Sequence, residues 1–427
     1  MAGASLRLPG PLREWTQSVG RVAFVSAHGC PMMTPGMGSA GGMNVFLRRI
    51  APILAGMGVE VDVYTRSHHA GGPEVFAFDE RSRVFHIPAG DPGLEKDAVA
   101  PYVGEFGDRL LELADGAQYD LVHSHYWLSA EPGMRLAERL GAPHVFTYHT
   151  VAEVKERAGG APEPPERKDA ERLAAESADA VVTFTEEESS ALAEFYGLDP
   201  RRARVVEMGV DDAVFNPREQ GAARRRLGIG QDERVVLFVG RIEPFKGPDL
   251  LLRSLASIPE RRDARVLLVG GAEEERSVEW LKGIAEGLGL SGRLDWRHAV
   301  PQGELPDYYA AATVCVVPSR HETFGLAALE AMACGAPVVA SNVGGLRGLV
   351  ADGETGLLAP AGDAAALAAA LSDLLGNPAR ARRMGAAGVE RSRGYSWART
   401  ASDLLRVYEE LAGEPVRSVA STVGERF

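Results

Sequence analysis

Two glutamates eight residues apart, Glu322 and Glu330, sit in a segment that otherwise reads as a buried strand running into a buried helix: PSRHETFGLAALEAMACGAP, residues 318–337. Residues 313–317 are short and apolar, the pattern of a strand in a parallel sheet covered on both faces. Pro318 ends that run, and a polar loop carries Glu322. The spacing predicts a helix that starts near Thr323 or Phe324 and stops at Gly335 and Pro337. Were the whole interval helical, the two carboxylates would stand about 12 Å apart, roughly two turns. One would mark a helix mouth, where free N–H groups suit a phosphate. The other would lie deeper, in a stretch that wants burial. A carboxylate accepts hydrogen bonds from two hydroxyls, so the pair suits a ribose or a sugar. A solvated Glu322 and a Glu330 paired with a distant arginine would fit the same spacing.

The rest of the chain alternates between strand and helix patterns. Residues 21–26, 60–64, 84–87, 120–124, 144–147, 180–184 and 204–207 read as strands, and a helix is expected from about 42 to 56. Residues 209–217 carry turn formers and a proline, the mark of a linker. The pattern restarts with strands at 235–239, 264–269, 293–296, 313–317 and 338–340, and is helical from about 363 to 411. Such alternation implies βαβ units and parallel sheets, and 427 residues are too many for one core. The expected fold class is α/β: two doubly wound, Rossmann-like domains facing across a cleft, residues 19–212 and 213–395. Residues 1–18 read as a loose extension. Ligands of doubly wound sheets sit outside the carboxyl ends of the strands, where Gly41, Gly42, His125, His149 and Glu322 all fall.

Charge and cysteine usage narrow the class. A net charge of -13 argues against a nucleic-acid partner, which needs clustered basic residues. Cys30, Cys315 and Cys334 are scattered without metal-ligand spacing. Two of them lie in apolar runs and read as small core residues. Together with the absence of a signal-like apolar core in residues 1–18, this predicts a cytoplasmic protein. No run approaches the roughly 18 apolar residues of a membrane span.

Arg241 and Lys246 lie in GRIEPFKG, after one strand and before a helix. Only five of the 46 basic residues are lysines, so a lysine here suggests a site that wants a compact ammonium. Two cations on one loop can neutralise a diphosphate leaving group; ordinary surface charge would look the same. Gly41 and Gly42 precede a helix and would let backbone approach a phosphate, or make a plain tight turn. G-x-G-x-x-G does not follow directly on the first strand, against a dehydrogenase. No Asp-x-Asp is present to hold a metal against a nucleotide diphosphate. His149 ends an apolar strand, where a lone histidine is as readily structural as functional.

Glu322-x7-Glu330, with Phe324 and Gly325 between, resembles the donor-site motif of the family 4 retaining glycosyltransferases, which have the GT-B fold. The segment 240–247 is similar to their diphosphate-binding loop, residues 41–44 (GGMN) to their N-terminal glycine loop, and HSHYW at 123–127 with YHT at 148–150 to their acceptor-side strand ends. Within the family the likeness is strongest to the actinobacterial inositol-phosphate N-acetylglucosaminyltransferases of mycothiol synthesis, then to sucrose-phosphate synthases. The resemblance implies donor contacts from Gly42, Arg241, Lys246, Glu322, Thr323, Phe324, Gly325 and Glu330. It implies that His149 reaches the transferred sugar, with His149, Glu322, Arg241 and Lys246 the catalytic set. It places Asn44, Lys96, Tyr126 and Thr150 on the acceptor side, with Arg167 and Lys168 as candidates for a further basic residue there. It also implies a helix at about 396–412 packed back on the first domain, no metal and no cofactor beyond a nucleotide-diphosphate sugar such as UDP-N-acetylglucosamine, small-molecule donor and acceptor as partners, and a homodimer. The Gly/Pro-rich residues 159–165 depart from the pattern, which leaves an unphosphorylated aminocyclitol or sugar acceptor open. A UDP-sugar 2-epimerase and a non-catalytic nucleotide-sugar binder are the competing readings.

Overall fold

A computed structural model describes residues 18–33, 40–69, 74–259, 263–271 and 275–413. All but the last residue of the extension expected at 1–18 lies outside the described residues. The first half builds an eight-stranded sheet from β1 (Arg21–Val25), β2 (Glu60–Arg66), β3 (Glu74–Ala77), β4 (Ser82–Ile87), β5 (Leu121–His125), β6 (His144–Thr147), β7 (Ala180–Thr183) and β8 (Ala203–Val205). Its spatial order is β3-β4-β2-β1-β5-β6-β7-β8. The second half builds a six-stranded sheet from β9 (Arg234–Val239), β10 (Ala264–Val269), β11 (Leu294–Arg297), β12 (Val314–Val317), β13 (Val338–Ser341) and β14 (Gly356–Ala359), ordered β11-β10-β9-β12-β13-β14.

Every pairing is parallel except β3 with β4. Parallel strands are covered by helices on both faces, which is why β1, β5, β6, β7, β12 and β13 are almost wholly buried, and why β1, β7, β12 and β13 read as largely apolar runs. Two strands were not anticipated. β3 is exposed along its length and antiparallel at the sheet edge, so no burial pattern marks it. β14 is four residues inside a turn-rich stretch. The strand expected at 204–207 is Ala203–Val205. The helix Gly42–Gly56 has the expected bounds.

The order of each sheet reverses once, between β1 and β5 in the first and between β9 and β12 in the second. At such a switch point two neighbouring strand ends send their loops apart and leave a crevice. The loops after β1, β5, β9 and β12 therefore supply most of the site.

The chain crosses between the halves near Val210 and returns near Ser396. The two crossings touch: Val210 N donates to Tyr395 O at 3.1 Å, and Val210 bridges Ser396. Ser396 then caps the helix Trp397–Ala412, accepting from Arg399 N. That helix lies on Gly42–Gly56. Trp397 meets Phe46 edge-on at 6.2 Å, and the Tyr408 hydroxyl is 2.6 Å from His123 Nδ1. One cluster of buried apolar side chains runs from Phe24 through Trp397 and Phe215 to Leu329, and so spans both halves.

Candidate active site

In the second half, position begins with Gly247. Its φ of +72° is left-handed, and a Cβ there would lie 2.1 Å from Pro318 O. Only glycine lets the loop after β9 lie on the end of β12. That contact brings Lys246 to Glu322, with Nζ 2.9 Å from Oε1 and 2.7 Å from Oε2. Ser319 Oγ donates to the same carboxylate at 3.0 Å. Burial alone would raise the Glu322 carboxyl, but Lys246 outweighs it and holds the group below the usual range. Arg241, on the same loop, lies 3.1 Å from Glu243.

The helix after Glu322 starts later than expected, at Leu326. Gly325 has φ +107°, and a Cβ there would meet Leu346 at 2.6 Å, so residues 322–325 form a loop that turns against the neighbouring helix Gly344–Leu349. The interval from Glu322 to Glu330 is thus half loop, and Glu322 belongs to the loop ahead of the helix. Glu330 is buried in that helix. Tyr309 donates to its Oε2 at 2.8 Å, and Gln302 Nε2 lies 3.5 Å from Oε1. Burial pushes its carboxyl up to about 7. Gln302 also accepts from Arg49 at 3.0 Å, and Arg49 pairs with Asp211 at 2.6 Å, so a polar chain runs from Glu330 to the crossing.

In the first half, Tyr126 and His149 are the only non-glycine residues with positive φ among those described, +69° and +60°. Both follow the ends of neighbouring strands, β5 and β6. Backbone held this way costs on the order of 1–3 kcal/mol and persists where the surroundings over-determine it. His149 Nε2 lies 3.2 Å from His125 Nδ1, and burial lowers the His149 imidazole to about 3. His149 is therefore neutral near pH 7, fit to hydrogen-bond a hydroxyl and unfit to serve as a cationic acid. His28 is likewise lowered to about 3, first by burial and then by Lys96.

Arg167 is buried. Its guanidinium donates to Glu171 at 2.7 Å, to Glu163 at 2.8 Å and to Thr150 Oγ1 at 3.0 Å, and stands 5.0 Å over the Tyr126 ring. Lys168 faces elsewhere. One residue along a helix is a turn of about 100°, and its Nζ pairs with Glu156 at 2.8 Å and Glu153 at 3.2 Å. Its expected acceptor-side position is corrected accordingly. Asn44 is tied in place, accepting from Gly41 N and donating to Cys30 O, both at 2.9 Å.

The two halves enclose a cleft of about 450 Å³, within the range of small-ligand sites. Thr323 Oγ1 donates across it to His149 O at 3.0 Å. Every residue given a donor, acceptor or catalytic role from the sequence lines this cleft except Lys168, and His125, also expected at the strand ends, is buried and does not line it. Sequence reasoning missed His28, Lys155, Gln302 and Ser319. His28 stands just past the first strand and Ser319 just before the Glu322 motif, so each carried a positional signal. Gln302 carried none, because its place is set by tertiary packing.

Residues 219–391 match the family described as Glycosyl transferases group 1, and residues 41–209 match a Glycosyl transferase 4-like domain. The chain is 43% identical over 416 residues to the D-inositol 3-phosphate glycosyltransferase of Kineococcus radiotolerans, covering 92% of this chain and 96% of that one. It is 40% identical over 429 residues to the protein of that name from Acidothermus cellulolyticus, covering 96% and 95%. Among solved structures, the sucrose-phosphate synthase of Thermosynechococcus elongatus aligns with a TM-score of 0.86 at 33% identity, over 92% of this chain and 99% of that one. WaaG, a glycosyltransferase involved in lipopolysaccharide biosynthesis, aligns at 0.71 with 18% identity, over 92% and 100%, a likeness of fold.

Proposed function

This chain belongs to the Glycosyl transferases group 1 family, is a hexosyltransferase with the GT-B fold, and from that premise we propose that it moves N-acetylglucosamine from UDP-N-acetylglucosamine to a hydroxyl of an inositol phosphate, with retention at the anomeric carbon. The observation that carries the acceptor is the lining of the cleft by Lys96, Lys155, Arg167, Tyr126 and Thr150, with Arg167 touching Tyr126 and Thr150 and sharing Glu163 with Lys155. Cations and hydroxyls at that density suit a phosphate monoester. The relatives named for D-inositol 3-phosphate support the same choice.

In this reading the donor diphosphate lies on Arg241, Lys246 and the backbone at Gly42, and its ribose hydroxyls meet Glu330. The sugar lies between His149 and residues 322–325. The acceptor hydroxyl attacks the anomeric carbon on the face the diphosphate leaves. The bond from that carbon to the diphosphate oxygen breaks and the acceptor oxygen bond forms. The acceptor proton passes to the departing diphosphate. Arg241 and Lys246 stabilise the charge that develops there, the task a divalent ion has in other transferases.

Product mass spectrometry tests this. The protein is given UDP-N-acetylglucosamine and 1D-myo-inositol 3-phosphate without added magnesium. The expected product is heavier than the acceptor by one N-acetylhexosamine, with one UDP per product. Transfer to free inositol in preference to the phosphate would overturn the acceptor. Conversion of the UDP-sugar without any acceptor would overturn the transfer step in favour of an epimerase.

A further inference from the structure

At the carboxyl edge of the first sheet, outside the cleft, Cys30, His68 and His86 bring one ligand atom each to within 4.8 Å of one another. Among the described residues no other group of three histidines, cysteines or carboxylates brings its ligand atoms this close together. The three come from three places: the loop after β1, the residues just past β2, and β4. Their convergence is therefore a product of the fold, invisible to any spacing rule. Cys30 and His86 are buried and His68 is exposed. Cys30 Sγ lies 3.1 Å from His86 Nε2.

We propose that Cys30, His68 and His86 are three ligands of a tetrahedral site for a divalent ion of the zinc class, with His69, whose ring stands beside theirs but outside the 4.8 Å cluster, turning in as the fourth. Bond lengths of about 2.3 Å to sulfur and about 2.0–2.1 Å to nitrogen set ligand atoms roughly 3.3–3.6 Å apart around a tetrahedral ion, and imidazole centres roughly 5 Å apart. The rings of His68, His69 and His86 stand 5.1, 5.2 and 5.2 Å from one another, pair by pair. His69 is equipped as a ligand. Its Nε2 lies 3.2 Å from Glu74 Oε2, while its Nδ1 is buried without a hydrogen-bond partner. A carboxylate on the far nitrogen of a histidine is the usual support of a metal-bound imidazole. Met32 N donates to Cys30 Sγ at 3.3 Å, an N–H that supports a thiolate. Soft sulfur with imidazoles selects zinc or a similar transition metal over magnesium or calcium.

The ion would fasten the loop after β1 to the ends of β2 and β4. Cys30 O holds the Asn44 amide that lines the cleft, so the fastening reaches the site's edge. Binding displaces the thiol proton to solvent, and no electron moves.

Cobalt(II) is the probe, since a thiolate ligand gives a charge-transfer band that oxygen and nitrogen ligands do not. Tag-free full-length protein, stripped with a chelator, is titrated with cobalt chloride and then with zinc chloride. The expected result is one cobalt per chain with a thiolate charge-transfer band, bleached stoichiometrically by zinc, and a rise in the thermal midpoint with either metal. Cys30→Ser abolishes the band. His68→Ala, at an exposed position, weakens binding at least about tenfold while the metal-free variant melts with the metal-free parent. Absence of the band in the parent, or a band undiminished in Cys30→Ser, overturns the site. Unchanged affinity in His68→Ala overturns its ligand set.

Discussion

Lys246 donates to both oxygens of Glu322 at 2.7 and 2.9 Å, joining two loops 76 residues apart at the switch point of the second sheet. The pair keeps two charges stable in a partly buried place and lays the ammonium where a diphosphate would arrive. In the proposed reaction Lys246 turns part of its charge from Glu322 to the leaving group, which is when it is most needed.

Lys246→Ala should therefore lower kcat by about 10²–10³ while changing donor affinity far less. Steady-state kinetics together with calorimetric donor titration separate the two. A variant that shifts only KM would sink the leaving-group role.

In the proposed donor site Glu330 would accept from ribose hydroxyls best as the anion, yet burial holds it near 7. Donor affinity should rise with pH through about 7 in the parent. In Glu330→Gln it should be weaker, by about 1.5–3 kcal/mol at high pH, and flat across the range. Equal pH profiles for parent and variant would remove Glu330 from donor binding.

Arg167→Lys keeps the charge but loses the fork that reaches Glu163, Glu171 and Thr150 together. The acceptor KM should climb at least about tenfold with donor affinity unchanged. Loss of donor affinity instead would move Arg167 out of the acceptor wall.

Stability should fall in mild acid. His144 is lowered to about 4 and His149 to about 3 by burial, while His123 and His125 lie well below the ordinary value for the same reason. The unfolded chain takes up these protons near pH 6.5 and the folded one does not, so the stability is complete above about 6.5 and is lost as pH falls toward the folded values. Glu188 and Glu330, each raised to about 7 by burial, work the other way and offset two of them. In urea titrations between about pH 6.5 and 4, His144→Gln should reduce the slope by up to about 1.4 kcal/mol per pH unit, the worth of one proton. A slope unchanged by that substitution would mean His144 does not carry the effect.

The strands were legible because parallel sheets bury both faces, so β1, β9 and β12 appear as apolar runs. The turn to the helix after Glu322 was less so. Its start depends on Gly325, whose backbone is set by contact with Leu346, a residue 21 positions on. Arg167 and Lys168 could not be told apart in sequence, since the choice is one of helical phase against Tyr126 and Thr150. Gln302 and the cluster at Cys30 left no trace, because each is assembled from segments whose neighbours are fixed only by the folded sheet.

The contact between Val210 and Tyr395 has a mechanical consequence. Two covalent connections that pass side by side act as a single pivot. The aperture of the cleft can then vary by rotation alone, with little change in the path of either connection. Sliding one half past the other would have to stretch or break that shared point. The loop carrying Lys246 and the helix carrying Arg167 are thereby kept on a common arc, and a substrate that closes the cleft meets both walls in the same alignment each time.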